Sequence, residues 1–214
     1  MKLNTIWDKL KDRTPSILGE ENFAKYAILL PLIHKEDGIH VLFEVRSLEL
    51  RRQPGEICFP GGRIDLQDKD EKTAAIRETM EELGLKKEDI TRVFPLDVLL
   101  SPFGMILYPY VGFIDNIEKI CPNPDEVGEV FTVPLDYFIE NEPKVYYVDL
   151  KPEPEEDFPF DLIAGGVNYS WQKKQMDEFF YLYKNRVIWG LTAKILAHFI
   201  AVLREEGIND DKTK

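Results

Sequence analysis

The run Gly61-Gly62-Arg63-Ile64-Asp65-Leu66-Gln67-Asp68, continued by Arg77-Glu78-Thr79-Met80-Glu81-Glu82-Leu83-Gly84-Leu85, decides how the chain is read. Asp68 or Asp70 can cap a helix here, and Gly84 suits its C-terminal stop. At about 100° per residue, Glu81, Glu78 and Glu82 fall at about −60°, 0° and +40° around the axis. Three carboxylates therefore share one helix face. Ile76, Met80 and Leu83 fall at about 160°, 200° and 140°, the opposite face, which is expected to be the buried one. Ala74 and Ala75 lie one turn earlier on the acidic side, where small side chains leave room for another group to approach.

A solvated helix face mixes acids with lysines four residues on, and here only Glu82 and Lys86 do so. Like charges at this spacing cost roughly 0.2–0.5 kcal/mol per pair. A divalent cation removes that cost, and oxygen ligands without cysteine or histidine suit Mg²⁺ or Mn²⁺ rather than zinc. Directly before the helix, Phe59-Pro60-Gly61-Gly62 brings bare backbone close to whatever occupies the acidic face.

The chain has 214 residues, 39 of them acidic and 27 basic, for a net charge of −12. That surface repels phosphate backbones, so no nucleic-acid partner is expected. A phosphorylated small molecule held through divalent cations stays open. Two cysteines, Cys58 and Cys121, are too few for a disulfide framework and fit reduced thiols in a cytoplasmic protein. No apolar run reaches the roughly 18 residues of a membrane span, and the first residues do not read as a secretory signal. No membrane partner is expected.

Outward from the acidic helix, Tyr26–Ile33 and His40–Arg46 read as a strand pair joined by the turn Lys35-Glu36-Asp37-Gly38. Pro31 argues that the first of these is at an edge or bulged. Later strand candidates are Arg92–Leu100, Met105–Ile114, Glu129–Thr132, Lys144–Leu150 and Glu178–Tyr183, with a final helix over about 187–203. Trp189 and the run Phe179-Phe180-Tyr181-Tyr183 read as core rather than as a stacking platform. This pattern is an α/β fold, a mixed sheet covered by helices. The expected organisation is a helical extension over 1–20, one domain over 21–206 and a polar tail over 207–214.

Gly62 through Leu85 resembles the Nudix box, G-x5-E-x7-R-E-U-x-E-E-x-G-U with U aliphatic. Gly62 to Arg77 is one residue longer than that pattern, Asp68 stands where its first glutamate falls, and Thr79 takes the first aliphatic place. The stretch Arg46-Ser47, Arg51, Gly55 and Phe59-Pro60-Gly61-Gly62 is similar to the upstream motif of the coenzyme A diphosphatase branch. Asn123-Pro124-Asp125-Glu126-Val127, Val133-Pro134-Leu135 and Ile188-Trp189-Gly190-Leu191-Thr192-Ala193 also look like that branch.

The resemblance implies a Nudix α/β/α sandwich with a mixed β-sheet between helices. It implies metal-dependent cleavage of coenzyme A or acyl-CoA to 3′,5′-ADP and 4′-phosphopantetheine or its acyl form. Glu78, Glu81, Glu82 and the Gly62 carbonyl are the expected holders of Mg²⁺ or Mn²⁺. Arg77 either orients a carboxylate or forms a structural ion pair. The general base is a glutamate of the box or one of Glu126 and Glu129. Arg46, Arg51, Gly55, Phe59 and Gly61 are the expected substrate contacts, with Arg51 reaching the 3′-phosphate. A homodimer is a family-level expectation. The rivals are a diphosphatase acting on ADP-ribose, dinucleotides or nucleoside triphosphates, and a non-catalytic nucleotide sensor.

Overall fold

The computed structural model describes residues 3–204, so the tail expected at 207–214 lies outside the described residues. Helix α1 (Leu3–Leu10) buries none of its residues. Strands β1 (Ala24–Lys35) and β2 (Gly38–Arg46) form the expected hairpin, with Lys35 opposite Gly38. Short strands β3 (Ile57–Cys58) and β4 (Gly61–Arg63) lead into helix α2 (Glu71–Leu83). Next come β5 (Ile90–Pro95), β6 (Leu99–Ser101), β7 (Met105–Ile114) and β8 (Val127–Pro134), then helix α3 (Leu135–Glu140). The chain continues through β9 (Lys144–Leu150), β10 (Lys174–Tyr183) and β11 (Arg186–Trp189) into helix α4 (Gly190–Arg204).

Eight strands make one mixed sheet with the path β3-β2-β1-β7-β5, onto which β4, β6 and β8 pair. The β1–β7 pair is parallel, and β9, β10 and β11 form a separate three-stranded sheet. Alternation along β1 and β2 feeds two cores. Leu29, Ile33 and Leu42 pack with Leu83 of α2 on one side. Leu30, Leu32, Val41 and Phe43 pack with Ala193, Leu196 and Phe199 of α4 on the other. The fold is α/β, with the mixed sheet held between helices.

The structure corrects several expectations. Pro31 lies in an internal strand. On one edge β1 pairs with β4 at Tyr26–Ile28 and with β2 at Leu32–Lys35, and Pro31 falls in the hand-over between them. There a missing N–H costs no ladder bond. The final helix starts at Gly190, where φ is +61°; Val187, Ile188 and Trp189 belong to β11 instead. The apolar stretch from Arg92 divides into β5 and β6. Of the aromatic run, Tyr181 is core, whereas Phe180 stacks on a Trp189 that is 41% exposed.

The largest correction concerns α2. Its ends are as expected: Asp70 accepts from the Thr73 N–H at 2.8 Å, and Gly84 closes the helix at φ +63°. Its buried residues are Ala74, Ala75, Thr79, Glu82 and Leu83, while Ile76 and Met80 are only partly covered. The buried stripe is therefore centred near Ala75 and Glu82, on the acidic side. Small side chains decide this. Ala74 and Ala75 meet Ala27 of β1, so what approaches them is the sheet itself.

Filling that contact tests the assignment. Ala75 is 0% exposed, and Ala75→Leu should destabilise the fold by about 1–3 kcal/mol through overpacking. The measurement is a urea unfolding curve. An unchanged midpoint would return the buried stripe to the Ile76–Met80 side.

Candidate active site

The helix and the glycine strand are built around each other. Gly61, at φ +153°, has no space for a side chain: a Cβ would stand 2.5 Å from the Ala27 carbonyl oxygen. A Cβ on Gly62 would stand 2.4 Å from the Glu78 carboxyl carbon. The Gly61 N–H donates to Glu82 Oε2 at 2.7 Å. Glu82, 5% exposed, thus sits under the helix against bare backbone.

Arg77 is saturated with acceptors. Its Nε and Nη2 grip both oxygens of Asp68 at 3.0 and 2.9 Å. Its Nη1 donates to Glu78 Oε1 at 2.9 Å and to Glu81 Oε2 at 3.2 Å, and Nη2 also reaches the Arg63 carbonyl at 3.2 Å. The guanidinium that pairs with Asp68 thus also holds one oxygen each of Glu78 and Glu81. Asp68, at the place of the motif's first glutamate, is held below the usual carboxylate range by its hydrogen bond from Arg77.

Glu126 approaches from a turn tied to the end of α2. The Cys121 and Asn123 N–H groups donate to the Leu83 and Glu82 carbonyls at 2.9 and 2.8 Å, meeting acceptors that a helix end leaves free. The Ser47 N–H then donates to the Glu126 carbonyl at 2.8 Å, joining this turn to the arginine loop. Together these segments line a cleft of about 680 Å³ that holds Gly61, Gly62, Glu82, Glu126, Arg46 and Arg52.

Charge is crowded here. Burial raises the pKa of Glu82 above the ordinary carboxylate range, and the charges of Glu44, Glu78 and Glu126 raise it further. Burial also raises Glu78, against the lowering effect of Arg77. The hydrogen-bond partner of Glu82 is an uncharged N–H. An oxygen-only donor set with surplus negative charge fits a hard divalent cation. Among the described residues, no three His, Cys, Asp or Glu side chains already stand as a metal-holding group. Arg77 holds one oxygen of Glu78 and one of Glu81 instead.

Not all the expected residues meet. Glu81 is at the exposed end of the Arg77 network, with its side chain 55% exposed. Glu129, three positions after Glu126, is bound by Arg186 Nη2 and Nη1 at 2.5 and 3.1 Å. With Gly55, Glu129 lines a separate pocket of about 700 Å³. Arg51 is exposed and outside the cleft lining. Phe59 is in the core, stacked on Phe43 with centroids 5.1 Å apart. Arg52, which with Arg46 and Arg51 forms a basic cluster suited to phosphate contacts, lines the cleft; the expectations overlooked Gln53 as a lining residue and Glu44 as a buried neighbour. Glu44 had a signal: one carboxylate inside the apolar run Val41-Leu42-Phe43-Glu44-Val45.

Comparison with known proteins adds an independent line. A model of the NUDIX domain matches residues 25–150. The peroxisomal coenzyme A diphosphatase of Mus musculus is 41% identical over 150 residues, 68% of this chain and 63% of that protein. Nudix hydrolase 3 of Caenorhabditis elegans is 30% identical over 192 residues, 86% of this chain and 75% of that protein. The peroxisomal coenzyme A diphosphatase of Caenorhabditis elegans is 37% identical over 137 residues, 62% of this chain and 56% of that protein. The chain spans less than two thirds of each of the two coenzyme A diphosphatases.

The crowded carboxylates set a pH dependence. In metal-free buffer, the raised pKa of Glu82 means that the folded state holds a proton which the unfolded chain releases. Stability from this group is therefore lost as pH rises through the folded pKa, and is complete near the ordinary carboxylate value of about 4.3. Urea midpoints in EDTA should be higher at about pH 6 than at about pH 8, with Glu82→Gln flattening the difference. Equal slopes for the two proteins would show that Glu82 is not a strained carboxylate.

Proposed function

Because the chain belongs to the Nudix hydrolase family, we propose that it hydrolyses the diphosphate bond of coenzyme A or an acyl-CoA, releasing 3′,5′-ADP and 4′-phosphopantetheine or its acyl form. The observation that carries this reading is the cleft itself, where Arg46 and Arg52 stand with Glu82 and Glu126 around a floor of Gly61 and Gly62. Two guanidinium groups suit phosphate oxygens, and the carboxylates suit a cation. The choice of coenzyme A among diphosphates rests on the similarity to the two coenzyme A diphosphatases.

In this proposal Glu78, Glu81, Glu82 and the Gly62 carbonyl hold Mg²⁺ or Mn²⁺. Bound there, the cation polarises the phosphoryl group and makes its water more acidic. Arg77 sets the rotamers of Glu78 and Glu81 through the bonds already described. Arg46 and Arg52 bind the diphosphate, and Arg51 reaches a 3′-phosphate from the rim. Glu126 is the general base: it takes the proton of the water whose oxygen attacks phosphorus as the bridging P–O bond breaks. Glu129 drops out as a base because its carboxylate is engaged by Arg186. Gly55 shapes the arginine loop, and Phe59 supports it from the core. The free thiols of Cys58 and Cys121 fit a reducing compartment, the cytoplasm in this reading. The mouse relative is named as peroxisomal. Among the described residues, no helix is long and apolar enough to cross a membrane.

The test is product analysis by mass, with coenzyme A, an acyl-CoA, ADP-ribose and NADH each incubated with Mg²⁺ or Mn²⁺. The expected products are 3′,5′-ADP and 4′-phosphopantetheine or its acyl form. Glu126→Gln should lower kcat by about 10²–10⁴-fold, the range for loss of a general base, and Glu129→Gln should leave it within a few-fold. Cleavage of ADP-ribose or NADH without coenzyme A would discard the branch assignment and keep the chemistry. Tight binding of a nucleotide with no cleavage would favour the sensor.

A further inference from the structure

Strand β2 carries a carboxylate where its neighbours are apolar. Glu44 is 1% exposed, between Phe43 and Val45. Its Oε1 accepts from the Cys58 thiol at 3.3 Å, across the register that sets Glu44 opposite Cys58. Its Oε2 is buried without a hydrogen-bond partner among the described residues. Leaving such an acceptor unmet is costly, and more so for a charged group. A same-sized apolar residue would avoid that cost, so packing alone does not account for a glutamate here.

Leu42, two residues before Glu44 on β2, packs with Leu83 of α2, so the alternation of the strand turns Glu44 toward the acidic helix. The charges acting on Glu44 are those of Arg46, on its own strand, and of Glu126. Glu44 is also the strongest charged neighbour acting on Glu82. Behind the carboxylates of α2 and the Glu126 turn, the sheet thus adds one more, with an acceptor still open. Burial pushes the Cys58 thiol up, so it stays protonated and donates, fixing the Glu44 rotamer. Resting on the divalent-cation reading above, we infer that Glu44 is a positioning carboxylate of that site, its free oxygen accepting from the water shell of a cation held by Glu82. Groups that orient a metal's ligands and waters in this way change metal affinity by about 10–100-fold when removed.

The experiment titrates the intact chain with Mn²⁺ and follows free Mn²⁺ by electron paramagnetic resonance, with no substrate present. Glu44→Gln and Glu44→Met, which remove the buried charge at similar size, should each weaken Mn²⁺ binding by about 10–100-fold. Urea unfolding without metal should show both variants folded. Glu118→Gln, an exposed acid far along the chain, should bind as the parent does and excludes a general charge effect. Binding within twofold of the parent in both Glu44 variants would make Glu44 structural and overturn the inference while leaving the cation reading intact. No Mn²⁺ binding by the parent chain would remove that reading and the inference with it.

Discussion

A helix can press a glutamate against a sheet only if nothing bulky stands between them. Here the contact is made by residues with little or no side chain: Ala27 on β1, Gly61 and Gly62 on β4, and Ala74 and Ala75 on α2. Burying a carboxylate is costly, and the single Gly61 N–H returns only part of that cost. The apolar packing of α2 on β1, through Leu29, Ile33 and Leu83, acts against that cost. From this close approach follow the orientation of Glu78 against Gly62 and the outward throw of Arg77. The docking of the 121–126 turn on the helix end follows as well.

Much of this was legible in the chain, and the exceptions have physical causes. Met105–Ile114 and Lys144–Leu150 match β7 and β9 at both ends. The box residues were recognisable because their spacing serves one helix face. Which face would be buried was not legible. Helical geometry places Ile76 and Met80 opposite Glu78, but what a helix buries depends on the partner's shape, and a glycine–alanine wall selects small residues over large ones. Val187-Ile188-Trp189 had helical spacing and continued into a helix, so only the Gly190 turn separates β11 from α4. Where Glu126 and Glu129 stand depended on tertiary contacts: the first lines the cleft from a turn, and the second meets an arginine from the other sheet.

The charge distribution also gains meaning from the fold. A chain of net charge −12 repels anions at long range, yet Arg46 and Arg52 are brought beside the acids by the loop that folds back at Gly55. The Gly55 N–H donates to the Arg46 carbonyl at 3.0 Å, and the Arg46 N–H donates to the Glu56 carbonyl at 2.9 Å. Two guanidinium groups and two carboxylates, Glu82 and Glu126, thus line one cleft and make its local field uneven.

The parallel register of β1 with β7, from Ala24 opposite Met105 to Ile33 opposite Ile114, has a consequence in time. Parallel pairing between distant segments closes a long loop before any contact repays the lost freedom, so it is slow. Glycine strand, acidic helix and arginine loop all lie inside that loop, between the two strands. The sheet on which the helix rests is therefore complete only once that loop has closed. Met105 and Leu107 of β7 line the cleft, so a nascent chain released before β7 is made has the motif without that wall of the pocket.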